Sequence, residues 1–250
     1  MVIKSWDFKI GNQNITDHKT ISNKFNDYFA NIGNTLARKI EKSKNHYLDY
    51  MPRQSSFINS CVFSPTTRTE IISITKALKN TFSSGYDNIP ISVIKSVIEC
   101  VADQLTEILN LCISKAVFPD NMKIAKVCPI HKSGETNDPS NYRPISILSS
   151  FSKIFEKIIT IRLRSYVEKE QILSNCQFGF RKKHSTYMAL LKLYDTISEA
   201  IEKNEYCVGI FVDLSKAFDT LDHNILIDKL MFYGVRGIPN LLLKSFLTDR

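Results

Sequence analysis

Nowhere in the 250 residues do about 18 apolar residues run together, and the opening stretch MVIKSWDFKIGNQNITDHK lacks the apolar core of a secretory signal. Neither a membrane partner nor export is therefore expected; the sequence predicts an intracellular protein of the nucleus or cytoplasm. Cys-x-x-Cys pairs are missing too. The six cysteines, Cys61, Cys100, Cys112, Cys128, Cys176 and Cys207, stand far apart, several inside apolar runs. That spacing argues against a zinc site or a disulfide framework and predicts buried, reduced thiols. His131, His184 and His223 share no ligand spacing and read as surface or loop residues. No internal repeat, low-complexity tract or long linker interrupts the chain, so one large domain or two smaller ones are expected.

What is present is a sizeable apolar fraction, 43%, enough for a substantial core, and a formal charge of +8. The charge is not spread evenly. Between Asn121 and His184 twelve Lys or Arg face five Asp or Glu, a local excess of +7. A field concentrated in this way favours polyanions, chiefly nucleic acid or nucleotide phosphates; a solvated basic surface with no ligand is the plainer alternative.

Periodicity places most of the chain in helices. Phe25, Phe29, Ile32, Leu36 and Ile40 recur at helical spacing, and TRTE at Thr67 to Glu70 is a capping box ahead of Ile71, Ile74 and Leu78. The loop NTFSSGYDNIP follows, and after Pro90 a longer helix carries Val101, Leu105, Ile108, Cys112 and Ala116 on its expected core stripe. KIAKVCPIHK and YRPISIL, separated by the turn-forming SGETNDPSN, predict an antiparallel strand pair with Pro129 and Pro144 at exposed or edge positions. A helix with Phe151, Phe155, Ile158 and Tyr166 on one side comes next, then another over about Ser185 to Asn204. The last two helices are one capped by Asp222 and closed by Gly234, and one over IPNLLLKSFLTDR.

Between the Ser185–Asn204 helix and the one capped by Asp222, Cys207 to Val212 is apolar and ends in Asp213, which predicts a buried strand delivering a carboxylate at its carboxyl end. A hard oxygen ligand at the mouth of a cleft suits Mg²⁺ and phosphate. The same pattern also suits a phosphatase-like nucleophile, although Leu214 and Ser215 stand where that class has Asp-x-Asp, or an aspartate that only caps the next helix.

Taken together and in order, SSGYDNIP, PIHKSGE, NYRPISILSSFSKIFEKII, QFGFRKKHST and FVDLSKAFDTLDH resemble the reverse transcriptase domain of non-LTR, jockey-like retrotransposons, over about Lys79 to Arg250. The resemblance implies an α+β, right-hand polymerase fold: helix-rich fingers with an antiparallel strand pair and an incomplete palm sheet. It implies boundaries as well, residues 1–65 an extension with one amphipathic helix, 66–170 fingers, 171–250 partial palm. By the same resemblance Asp213 matches the first catalytic, metal-binding aspartate, with the Leu214 carbonyl as a further ligand for Mg²⁺ or, in its place, Mn²⁺. Phe218 matches the aromatic gate that excludes a ribose 2′-hydroxyl, and Lys132 and Arg143 match the cations that clamp a triphosphate. Gln177, Gly179, Arg181, Lys182 and Lys183 match the block that meets template or primer. The implied partners are an RNA template, a DNA primer and deoxynucleoside triphosphates.

One departure limits the activity expected of these residues alone. Polymerases of this kind carry a second carboxylate pair on an aromatic-x-Asp-Asp hairpin, and the sequence has no Asp-Asp dipeptide; YDN at Tyr86 and YDT at Tyr194 precede Asp213. The chain by itself is expected not to polymerise DNA, as a partial or decayed reading frame, and a non-catalytic nucleic-acid-binding module is the competing expectation.

Overall fold

Where apolar residues recur every three or four positions the backbone is helical, and where the two β-rich runs flank SGETNDPSN it is paired strand. The computed structural model describes residues 8–10, 13–41, 44–51, 59–214 and 216–250. In order these form β1 (Phe8–Ile10), β2 (Gln13–Ile15), α1 (His18–Ala37), α2 (Arg68–Ala77), α3 (Ile91–Lys115), α4 (Asp120–Lys123), β3 (Ala125–His131), β4 (Tyr142–Leu148), α5 (Ser150–Lys169), α6 (Thr186–Glu202), α7 (His223–Phe232) and α8 (Ile238–Leu247). Among the described residues the strands make two antiparallel pairs, β1 with β2 and β3 with β4. The helix-rich α+β class and the β3–β4 pair agree with the sequence expectation; the β1–β2 pair was not anticipated. Two compact units emerge, one of Met1–Leu163 with Lys216–Arg250 and one of Arg164–Ser215.

In the first unit the helix starts follow capping chemistry. The Asp17 carboxylate accepts from the Thr20 N–H at 2.8 Å, and Thr67 Oγ1 accepts from the Glu70 N–H at 3.2 Å. Helix α3 buries Ile94, Ile98, Ala102, Leu105, Leu109 and Ile113, a stripe rotated from the expected one. Ile108 is exposed and Val101 and Cys112 are only half-buried, because α2 and α8 pack on the other side of Leu105. The end of α3 is a left-handed cap at Ala116 (φ 53°, ψ 38°), with the Val117 N–H reaching back to the Cys112 carbonyl at 3.0 Å. A Cβ is a burden in that conformation, which glycine enters freely. Ala116→Gly is therefore expected to stabilise the chain by about 0.5–1 kcal/mol and to raise its thermal midpoint by about 2 °C. Calorimetry that shows a lower midpoint would contradict the cap argument.

That cap turns the chain so that Phe118 enters the core. Its ring stacks on Phe155 of α5 at 5.0 Å and meets the edge of Phe246 of α8 at 4.9 Å. Nearby, Arg162 of α5 holds Glu70 of α2: the guanidinium donates to the carboxylate at 2.6 Å and to the carbonyl of Ser64 at 3.2 Å. This pairing keeps the Glu70 carboxyl below the usual carboxylate range. It also takes Arg162, one of the twelve cations of the basic segment, into structural service. Gly85, in the SSGYDNIP loop, is buried against the junction of β4 and α5; a Cβ there would stand 2.6 Å from the Ser149 nitrogen. Only glycine admits that approach, which is the physical content of that sequence block.

The second unit differs from expectation. Helix α6 forms, capped by Ser185, yet none of its residues is buried. Cys207 to Val212 is neither strand nor buried: Val208 is 84% exposed and Phe211 86%. A strand exists by pairing, and no strand is paired with this segment among the described residues, so its amides have no ladder and its side chains no opposing face. The expectation of buried thiols holds for Cys61, whose burial pushes its thiol up to about 11, and in part for Cys112 and Cys128. Cys100, Cys176 and Cys207 are exposed; Cys207 follows from the uncovered segment.

Candidate functional site

The β3–β4 ribbon is the most completely determined part of the site. Ala125 pairs with Leu148, Pro129 with Pro144, Ile130 with Arg143 and His131 with Tyr142. The Lys132 N–H donates to the Asn141 carbonyl at 2.8 Å, which places Lys132 and Asn141 at a hydrogen-bonded pair of the ladder. Counting back by alternation, Pro129 and Pro144 oppose each other at a non-hydrogen-bonded pair, where neither needs a ladder N–H. The prolines therefore sit at the outward edges, as their sequence positions suggested, and oppose the addition of a third strand.

The same alternation assigns faces. Lys126, Ile130, Lys132, Arg143 and Ile145 share one face, and all are exposed. Lys132 and Arg143 are diagonal neighbours on it, spaced about 7–8 Å on an antiparallel ladder. The connecting loop is tied to itself. Tyr142 donates its hydroxyl to the Thr136 carbonyl at 2.7 Å, Asn141 Nδ2 donates to the Glu135 carbonyl at 2.9 Å, and Gly134 takes a positive φ of 87°. Asp138 caps its own turn by accepting from the Ser140 N–H at 2.8 Å, and these bonds from Ser140 hold its carboxyl below the usual range.

The other face packs on α1. Tyr142, 4% exposed, meets the edge of Phe25 at 4.8 Å, and Phe25 stacks on Phe29 at 5.8 Å. Burial pushes the Tyr142 hydroxyl above the ordinary phenol value. Two adjacent residues of β4 thus have opposite duties, Tyr142 anchored in the core and Arg143 presented to solvent.

Phe218 also lies in the first unit. It is exposed, in a turn over residues 216–219 whose Lys216 donates to the Tyr28 hydroxyl of α1 at 3.0 Å. Asp222, read as a helix cap, is one: its carboxylate accepts from the N–H groups of Asn224 at 2.8 Å and Ile225 at 3.2 Å.

The remaining candidates belong to the second unit. Gln177 Nε2 donates to the Gly179 carbonyl at 3.0 Å, and Arg181 donates to the Ser174 carbonyl at 3.0 Å, so both are committed to their own loop. Lys182 and Lys183 are exposed, and a Cβ at Gly179 would meet nothing within 4 Å. Phe180 (φ 61°) and Lys183 (φ 63°) both hold left-handed backbone, a strain that brackets Arg181 and Lys182. Asp213 and Leu214 lie exposed in the segment that is not a strand. Among the described residues no group of three or more His, Cys, Asp or Glu is placed to hold a metal ion.

Residues 130–250 match the family described as reverse transcriptase (RNA-dependent DNA polymerase). Over these residues the chain belongs to the reverse transcriptase family. Its relatives include the probable RNA-directed DNA polymerase from transposon BS of Drosophila melanogaster, 36% identical over 76% of this chain. The RNA-directed DNA polymerase from mobile element jockey of the same fly is 32% identical over 86%, and the probable polymerase from transposon X-element 32% identical over 75%. The match covers 21 to 23% of these relatives, so the chain spans about a fifth of their length. Among the described residues no helix is long and apolar enough to cross a membrane. Tyr28, Gly33 and Tyr142 were not singled out from sequence; an aromatic at helical spacing looks like any core residue.

Proposed function

We propose that this chain supplies the fingers and the first part of the palm of an RNA-directed DNA polymerase of a non-LTR retrotransposon, with residues 66–170 as fingers, 171–250 as partial palm and 1–65 as an extension. The observation that carries the reading is the register of β3 and β4, which brings Lys132 and Arg143 to one exposed face. Arg143 offers a planar fork to phosphate oxygens and Lys132 a point charge, so together they suit an incoming triphosphate. Phe218 is the residue proposed to press on the sugar and refuse a 2′-hydroxyl. Gln177, Gly179, Arg181, Lys182 and Lys183 are proposed to meet RNA template and DNA primer, the two lysines free to reach phosphates in solvent.

Divalent metal accompanies the family reading, and its chemistry there is activation of a primer hydroxyl and charge neutralisation at the phosphates. Asp213 and the Leu214 carbonyl offer at most three oxygens, where octahedral Mg²⁺ takes about six. Among the described residues these donors do not complete such a site. The bare apolar run before Asp213 and the unburied face of α6 are surfaces that a completed palm sheet would cover.

The test is primer extension on an RNA template with deoxynucleoside triphosphates. The longest reading frame that carries this chain is expected to extend the primer; the 250 residues alone are expected to bind RNA in a salt-dependent way without extension. If the longest frame binds RNA and extends nothing, the second reading, a non-catalytic nucleic-acid-binding module, replaces the first.

A further inference from the structure

One feature of α1 belongs to neither helix stability nor the phosphate clamp. Gly33 lies mid-helix, where glycine is a poor choice and alanine the best. A Cβ at Gly33 would stand inside van der Waals contact of the Asp219 carbonyl oxygen and 3.2 Å from its carbon. Glycine there lets the helix seat directly on the turn that carries Phe218. The seat has a second fastening: Lys216 donates to the Tyr28 hydroxyl at 3.0 Å, with its ammonium 4.9 Å from the Tyr28 ring centre. Lys216 holds left-handed backbone (φ 51°), and its carbonyl accepts from the Asp219 N–H at 2.9 Å and the Thr220 N–H at 3.2 Å, so the turn is tightly wound.

From Tyr28 the contacts continue without a break. Tyr28 meets the edge of Phe29 at 5.6 Å, Phe29 stacks on Phe25, and Phe25 meets Tyr142, the residue before Arg143. The turn with Phe218 and the strand with Arg143 are therefore fastened to one rigid helix through one ladder of rings.

We propose that α1 is a positioning strut that sets Phe218 and Arg143 in register with each other, with Gly33, Tyr28 and Phe29 as its positioning residues, so that the sugar gate and the phosphate clamp act on one nucleotide. This deepens the polymerase reading and rests on it for the roles of Phe218 and Arg143. The geometry of the strut stands apart from that reading and is tested first.

Two measurements separate them. In the 250-residue chain, Gly33→Ala is expected to speed hydrogen exchange of the Asp219 and Thr220 amides about tenfold, while amides within α1 exchange more slowly or unchanged. Tyr28→Phe, which keeps the helix and the ring, is expected to speed the same two amides about threefold. If Asp219 and Thr220 exchange at the wild-type rate in both variants, the strut is refuted. In the longest frame, Gly33→Ala is expected to lower discrimination between deoxy- and ribonucleoside triphosphates about tenfold, a ratio that a simple loss of folded protein does not move. Unchanged discrimination by an extending enzyme overturns the positioning role. A frame that extends no primer refutes the polymerase reading and with it the positioning role as stated, while the exchange rates still decide whether the strut exists.

Discussion

Arg143→Ala in the longest reading frame is expected to raise the KM for deoxynucleoside triphosphates about ten- to a hundredfold, with RNA binding changed less than about twofold. The magnitude follows from the charge-assisted bonds that a guanidinium makes to phosphate, about 1.5–3 kcal/mol, at about 1.4 kcal/mol per decade. Arg143 is exposed and on the ladder face of Lys132, so its removal leaves no buried partner stranded and should not unsettle the fold. Lys126 supplies the control. It lies on the same face, about 20 Å along the strand from Lys132 and about 14 Å from Ile130, the partner of Arg143, on the side of Arg143 away from the clamp. Lys126→Ala is expected to leave KM unchanged. Equal effects from both substitutions, visible also in RNA affinity, would mean that the ribbon is a general basic surface and not a clamp. Arg143→Lys should recover only part of the loss, because an ammonium cannot reproduce the two parallel bonds of the fork.

Phe118→Ala is expected to destabilise the chain by about 3–5 kcal/mol, a large part of the total of about 5–15 kcal/mol that holds a typical fold. Phe118 is 1% exposed and Phe155, beneath it, is fully buried. Its backbone is also committed, the N–H donating to Ser245 Oγ at 2.9 Å. Deletion of the ring would open a void shared by the end of α3, by α5 and by α8, three rigid elements that cannot all move into it. A thermal midpoint about 10 °C lower is the expected reading, with Phe118→Leu losing about half as much. A loss under about 1 kcal/mol in chemical denaturation would show that the three helices do not close on this ring.

The helices and the ribbon were legible because their causes are local. Thr67 caps α2 and Asp222 caps α7 through bonds spanning two or three residues, and the strand pair was written in two β-rich runs around a turn-rich loop. The stripe of α3 was misjudged by about one position. A helix with apolar residues nearly all round leaves the choice of face to its neighbours, and α2 and α8 chose Ile94, Ile98 and Leu109 over Ile108. The strand before Asp213 failed for a related reason. Apolar content says that a segment can be buried, but burial and strand pairing need a partner that lies far along the chain.

The order of the five sequence blocks and the identities of Lys132, Arg143, Phe218 and Asp213 are properties of the sequence alone, since side-chain chemistry and chain order exist before folding. The shared face of Lys132 and Arg143 needed only the ladder register on top of that. What folding alone decided is the service of α1: that Gly33 admits the Asp219 carbonyl, that Tyr28 receives Lys216, and that Phe25 meets Tyr142. These contacts join residues more than a hundred positions apart, and whether two such surfaces meet depends on every packed element between them. No local preference encodes such an outcome.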